Sequence, residues 1–226
     1  SGVRPGDSVF IPAFTFSAVP SAVIHANAKP LLVDIDENYS IDLIDFEEKV
    51  IANPQVRHLL LSYMRGYVPN LDELCRICNH YNISIIEDCA HSIGVCWGGK
   101  KTGSFGISAA YSMQSYKMLD GGEGGMLTTD SDEIAVKAIL YAGSYEKNWT
   151  SHILKNEILL EKYQTQIPNF NFRMSNLSAG AIRPQIKDLD ASIASYNEKY
   201  TSLVSLIKDS PYIKIPQRHK KLLIAA

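Results

Sequence analysis

Three side chains in this sequence have the types and spacing to do amine chemistry: Asp88, Ser112 and Lys117. An ordinary lysine is protonated near neutrality and is a poor nucleophile. Desolvation or a neighbouring cation lowers its pKa and frees the amine, and Tyr116, Met118 and Leu119 give Lys117 apolar neighbours. A freed amine can attack a carbonyl. It can afterwards carry a proton between two carbons as general acid and base. Asp88 offers a carboxylate that can pair with a protonated ring nitrogen. Ser112, five residues before the lysine, offers a hydroxyl to a phosphate. The task that needs all three is holding pyridoxal phosphate: a lysine for the Schiff base, a carboxylate for the pyridinium nitrogen, hydroxyls for the phosphate.

Each residue also has a plainer reading. Lys117 alone is a lysine in a surface turn. Asp88 alone is a helix cap behind a strand. Their order along the chain is what favours a shared site. Glu87, beside Asp88, points to the opposite face if the strand geometry persists, so it receives no catalytic role. Gly121, Gly122, Gly124 and Gly125 flank Glu123 and suit tight turning and close backbone approach. Neither GxxxxGK[ST] nor GxGxxG occurs, so these glycines are not read as a nucleotide loop.

Delivering these groups to one place requires a parallel sheet. Residues 83–86 are a short apolar, β-branched run, read as a buried parallel strand that ends in Glu87-Asp88. In open α/β sheets that carboxyl edge is where ligands bind. Residues 107–113 form the next strand, running into Gln114, Ser115 and Lys117 and then the turn Asp120-Gly121-Gly122. Upstream, strands are expected at 9–12, 31–35 and 58–64. Helices are expected from Phe14–Ser17 to near Asn27, at 43–52 with Asp42 as N-cap, and at 71–81. Thr15 and Ser17 stand where hydroxyls cap helices and anions bind. Downstream come a strand at 126–129 and a helix at 131–142 capped by Ser131 or Asp132. Residues 145–172 are aromatic and polar without a clear period, an irregular excursion that calls for a functional or interface explanation. A long helical region runs from Ser175 to about Lys208 with a kink at Pro184, and 211–216 reads as a short strand. The alternation predicts an α/β fold of three layers, α/β/α, with a mostly parallel central sheet and right-handed crossovers.

The 226 residues can bury a sizeable core, and 46% hydrophobic with 20% charged residues is ordinary for a soluble globular protein. A net charge of −2 offers no electrostatic surface for nucleic acid or membrane, and no apolar run reaches transmembrane length. Cys75 and Cys78 form a CxxC, but no second pair stands at zinc spacing. With Leu71 and Leu74 they share a helical face, so buried thiols are expected rather than metal or redox chemistry. Cysteine usage suggests a reducing cytoplasm. The chain opens at Ser1-Gly2-Val3-Arg4-Pro5, inside a motif and without an initiator methionine, and is read as a fragment.

The ordered motifs PGDSVFIPAFTFSA, EDCAH, the serine five residues before a lysine, GEGG and NFNFRMSNLSAG resemble the DegT/StrS group of sugar aminotransferases among fold-type I pyridoxal phosphate enzymes. The resemblance spans roughly Pro5 to Asp190. It implies a cofactor-binding large domain over residues 1–190, lacking its N-terminal edge, and the start of a truncated small domain over 191–226. It implies Lys117 as the Schiff-base lysine, Asp88 on the ring nitrogen and Ser112 on the phosphate. It also implies Phe16 stacked on the ring and His91 near the ring's 3-hydroxyl or the substrate. Asn171 would reach the phosphate of a neighbouring subunit's cofactor, which makes a homodimer with shared sites. The implied reaction moves an amino group from an amino acid, glutamate, to a keto-sugar or nucleotide-linked keto-sugar. The chain departs from the family at SYMRG, where Tyr63 stands in place of a histidine that many relatives carry. The upstream glycine- and threonine-containing phosphate loop and most of the small domain are not in this sequence. Two other readings stay open. One is a sugar dehydratase of the same group, whose members replace the lysine with histidine. The other is a cofactor-free regulatory or binding protein that retains the fold.

Overall fold

The structure is a computed structural model that describes residues 1–143, 156–168 and 170–223. The first half alternates strand and helix: β1 (Ser8–Pro12), α1 (Ala18–His25), β2 (Lys29–Val33), α2 (Leu43–Ala52), β3 (His58–Ser62), α3 (Leu71–Tyr81) and β4 (Ser84–Asp88). A small hairpin of β5 (Cys96–Trp97) and β6 (Lys100–Lys101) precedes β7 (Ser108–Ser112) and β8 (Gly125–Thr128). Helices α4 (Asp132–Tyr141), α5 (Glu157–Tyr163), α6 (Asn176–Ile182) and α7 (Leu189–Ile207) follow, then β9 (Leu222–Leu223).

Six strands form one sheet in the order β2-β1-β3-β4-β7-β8. All neighbours are parallel except β8, which runs antiparallel to β7. The apolar strands are covered on both faces, as parallel sheets must be. Phe10, Leu59, Leu61 and Ile85 join Phe46 and Val50 of α2 and Leu71, Leu74 and Ile77 of α3 in one core. Val9 and Ile11 meet Val19 and Val23 of α1 in a second core. This is the three-layer α/β arrangement expected.

Local chemistry sets the helix ends. Asp42 accepts from the amides of Ile44 and Asp45 and caps α2. Asn70 caps α3 through the Glu73 amide, and Asn82 closes it in the left-handed region at φ 55°. Of the two candidates for the start of α4, Ser131 is the cap, through the Ile134 amide. Ser17 precedes α1 but makes no cap bond, because its own backbone is already helical. Cys78 lies in the core, where burial pushes its thiol up to about 12, while Cys75 is half-buried. No helix among the described residues is long and apolar enough to cross a membrane.

Two expectations are corrected, one hairpin was not foreseen, and the kink expected at Pro184 takes a definite form. The stretch 145–172 is not wholly irregular: α5 lies within it, capped by Asn156. Residues 144–155 and 169 fall outside the described residues. Residues 211–216 form a turn and open chain, and the terminal strand is β9, which pairs antiparallel with β5. The hairpin β5–β6 was not expected, since two-residue strands carry no alternation to read. At Pro184 the helical region is broken by a 3-10 stretch, Arg183–Asp188, between α6 and α7.

Glu87 explains how the central strands hold their ends. It is 0% exposed, and its carboxylate accepts from the Tyr63 hydroxyl and from the amides of Gly103, Phe105 and Gly106, each at 2.7 Å. Burial and the Glu87 charge push the Tyr63 phenol well above its usual range, so it stays a donor. Tyr63→Phe should cost about 1.5–3 kcal/mol, one hydrogen bond to a charged group. Glu87→Ala strands four donors and should cost about 4 kcal/mol or more. Urea unfolding of both variants checks this, and a Glu87→Ala protein as stable as the parent would contradict it.

Candidate active site

Strands β1, β3, β4 and β7 are parallel, so Pro12, Ser62, Asp88 and Ser112 end at one edge of the sheet. The loops that follow carry Phe16, Arg65, His91 and Lys117 to that edge. Register does the rest: Ser62 stands opposite Asp88 in the β3–β4 ladder. Successive strand residues face opposite sides, so with Glu87 committed to the core, Asp88 faces the other way.

Asp88 is half-buried and already ordered. Its Oδ2 accepts from the Ser62 hydroxyl at 2.7 Å and its Oδ1 from the Ala90 amide at 3.1 Å. These bonds hold the carboxylate at the edge while leaving it acceptor capacity, since an ionised carboxylate has about four lone-pair positions. His91 is half-buried, and its Nδ1 accepts from the Arg65 amide at 3.3 Å. Neutral His91 then carries its proton on Nε2. Burial, and next the charge of Lys117, lower the His91 pKa and favour that neutral form.

Lys117 sits on a stapled loop. The Lys117 amide bonds to the Gln114 carbonyl, Ser115 to the Gly122 carbonyl, and Gly121 to the Met113 carbonyl at 2.8 Å. Met113 in turn donates to the Gly124 carbonyl. Leu119 and Met113 are buried with Ile182 of α6 beneath the loop. Gly121 is needed there, because a Cβ would lie 2.7 Å from Ile182 Cδ1. Gly124, at φ +150°, passes as closely to Met174. The close-approach role expected of these glycines is therefore seen at Gly121 and Gly124, whereas Gly122, with open space around it, serves the turn at φ +75°. Gln185 clamps the loop from the 3-10 stretch: its Oε1 takes the Asp120 amide and its Nε2 donates to the Asp120 carbonyl.

Burial lowers the Lys117 pKa from its ordinary value, the Asp88 charge opposes this, and the Arg65 charge adds to it. The apolar shield differs from expectation. Leu119 is 5% exposed, but Tyr116 is 98% exposed at φ 73° and shields nothing. The cation that helps free the amine is Arg65, which sequence reasoning did not single out. Ser62 and Gln185 were missed as well. Arg65 lies in the SYMRG departure, which was a signal; Ser62 and Gln185 carried none.

Ser112 closes β7 opposite Gly125, and its hydroxyl accepts from the Gln114 amide. Phe16 stands before α1 with its ring 60% exposed. Beside it the Thr15 hydroxyl is buried without a hydrogen-bond partner among the described residues. Asn171 is not joined to this group by any hydrogen bond among the described residues. It is exposed between Phe170 and Phe172, whose rings stack at 5.0 Å, against the end of α4. Tyr63, at the departure from the family pattern, fills the core instead of the site. A cavity of about 670 Å³ lies elsewhere, between β8 and α7, and carries none of these groups.

The set fits pyridoxal phosphate on its donor chemistry: an amine disfavoured as ammonium, an ordered carboxylate, a bare aromatic face and an orphaned buried hydroxyl, all served by one sheet edge. The sequence profile of the DegT/DnrJ/EryC1/StrS aminotransferase family matches residues 1–224. The chain belongs to this family. It is 29% identical over 227 residues to the GDP-perosamine synthase of Caulobacter vibrioides, covering 96% of this chain and 57% of that protein. It is 30% identical over 209 residues to the 3-amino-5-hydroxybenzoate synthase of Amycolatopsis mediterranei, covering 91% and 51%. Among solved structures, S. venezuelae DesV in complex with a ketimine intermediate superposes with a TM-score of 0.83 at 25% identity, covering 99% of this chain and 57% of that one. The chain thus spans little more than half the length of these relatives.

The electrostatics of this DegT-family edge can be tested without cofactor. Amine-selective acylation of Lys117, followed across pH by mass spectrometry, should show a half-point below the ordinary 10.5. Asp88→Asn removes the opposing charge and should move it lower; Arg65→Gln removes a like charge and should move it higher. Shifts in the reverse order would contradict the assignment.

Proposed function

We propose that the complete protein is a pyridoxal phosphate-dependent aminotransferase of the cytoplasm. It would move an amino group from an amino acid, glutamate, to the keto group of a sugar or nucleotide-linked sugar. The observation that carries this is the delivery of Asp88 and Lys117 to one sheet edge, with the lysine weakened as an ammonium by burial and by Arg65.

The residues then divide the work. Lys117 would hold the cofactor as nucleophile, and its amine would serve as the general acid and base that moves the substrate's proton. Asp88, held by Ser62 and the Ala90 amide, would pair with the ring nitrogen and favour its protonated form. The bound cofactor supplies an electron sink for the carbanion. Ser112 and Thr15 offer hydroxyls to its phosphate and ring substituents, and Phe16 offers a face for stacking. Neutral His91 presents Nε2–H toward the 3-hydroxyl or the substrate. Asn171 serves a partner subunit's site, in a homodimer whose contact includes the exposed Phe170–Phe172 stack.

A dehydratase is the second reading. The fold is shared with a GDP-4-keto-6-deoxymannose-3-dehydratase, ColD, at a TM-score of 0.83 and 23% identity. Lys117 stands against it, because dehydratases of the group carry histidine there. A cofactor-free binding protein would leave the Lys117 electrostatics without a use.

Adding pyridoxal phosphate to the full-length protein should give an absorption band near the visible edge that borohydride abolishes. Peptide mapping should place the phosphopyridoxyl group on Lys117. Glutamate should then release 2-oxoglutarate in one half-turnover. A tag on another lysine, or no band at all, overturns the reading. Sedimentation at micromolar concentration should give a dimer mass; a monomer that binds cofactor tightly would rule out shared sites.

A further inference from the structure

Arg65 is held in a way that the fold alone does not require. It lies in the turn Met64–Gly66, between β3 and α3, at φ 57° and ψ 19°. Arginine gains nothing from the left-handed region, unlike the asparagines at 27 and 82. Such conformations are unfavourable for a residue with a Cβ and persist where the surroundings impose them. Here the surroundings are His91. The Arg65 amide donates to His91 Nδ1 at 3.3 Å, and a Cβ on Gly66 would lie 3.2 Å from the His91 carbonyl. The turn is thus pressed onto the segment that follows Asp88.

The Arg65 side chain is exposed, and no described residue accepts a hydrogen bond from its guanidinium. Its charge nevertheless acts on both His91 and Lys117. The edge therefore gathers Arg65, Lys117 and His91 around one carboxylate, Asp88, which Ser62 and the Ala90 amide already engage. A free guanidinium beside a reactive amine leaves room for one more anion. In an amino acid the carboxylate sits one carbon from the reacting nitrogen. A diphosphate on a sugar lies several bonds from the keto carbon. A planar guanidinium matches a carboxylate with two parallel hydrogen bonds.

We propose that Arg65 binds the α-carboxylate of the amino donor at the Lys117 site. This rests on the aminotransferase reading given above. It makes Arg65 a specificity residue on the donor side, contributed by the turn Met64–Gly66.

The test uses the full-length enzyme loaded with cofactor. Arg65→Gln should raise KM for the amino donor about 10- to 100-fold, with kcat falling much less. KM for the keto acceptor should stay within about twofold, and cofactor loading on Lys117 is measured separately, because loss of the Arg65 charge also raises the Lys117 pKa. Glutarate, a dicarboxylate without an amine, should bind the parent by calorimetry and bind Arg65→Gln more weakly by a similar factor. Arg65→Lys, which keeps charge but not the fork, should restore part of the loss. An unchanged donor KM, or a rise confined to the acceptor, overturns the proposal while leaving the aminotransferase reading intact. Failure of the parent enzyme to take cofactor on Lys117 would overturn that reading instead.

Discussion

The structure depends on one buried carboxylate. Glu87 has no solvent and is satisfied by a phenol and three backbone amides. An uncompensated charge there would cost several kcal/mol, so the loop 103–106 and Tyr63 must arrive in fixed positions. Gly106 is part of the reason they can: a Cβ there would lie 2.3 Å from the Ile85 carbonyl. Satisfying Glu87 orders the chain that enters β7 and anchors the residue that leaves β3. Those are the two strands flanking β4. With one side of β4 so bound, the pleat leaves Asp88 no choice of face. The placement of Asp88 at the edge is thus a consequence of a hydrogen-bonding problem solved in the core.

Lys117 is governed by a different balance. Asp88 favours its charged form, while burial and Arg65 disfavour it, and the net direction is downward, with burial the largest cause. That ordering is reasonable for a partly shielded amine with one opposite and one like charge nearby, because the two charge effects offset. The surface ion pairs elsewhere, such as Lys214–Glu37 and Lys221–Asp72, belong to a different regime. Their groups are about half or more exposed, and such pairs contribute little to stability. They fasten the C-terminal segment along the domain without bearing on the edge chemistry.

Much of this was legible in the sequence because it is local. The α2 and α3 boundaries follow from Asp42, Asn70 and Asn82, whose side chains or left-handed backbone act within four residues. The central strands follow from apolar runs, and their shared edge from the parallel alternation. The pleat correctly turned Glu87 away from the site. What it turned toward was not legible, since the amides of Gly103, Phe105 and Gly106 reach it only through tertiary folding. The exposure of Tyr116 was misread for a related reason. Its left-handed φ depends on the loop staple, and adjacency in sequence does not make a shield. Arg65 needed the β3–β4 register to be seen beside His91. The short strands β6, β5 and β9 exist only through their pairing with one another, so none carries a pattern of its own.

The two halves of the edge are therefore built with unequal independence. Asp88 is fixed by the β3–β4 ladder and by Glu87 on its far side, all within the central sheet. Lys117 is fixed by a loop whose floor is Ile182 and whose clamp is Gln185, both from the helical region beyond α5. Gln185 lies in the 3-10 stretch where Pro184 interrupts the helices, so its amide is aimed by that break. A shift of α6 or α7 would be transmitted to Asp120 and hence to the lysine loop, while the carboxylate stays in place. The distance between Lys117 and Asp88 is thus set by how the C-terminal helices seat on the sheet. Chemistry at this edge accordingly requires the α6–α7 region to be docked, even though none of its described side chains touches Lys117 through a hydrogen bond.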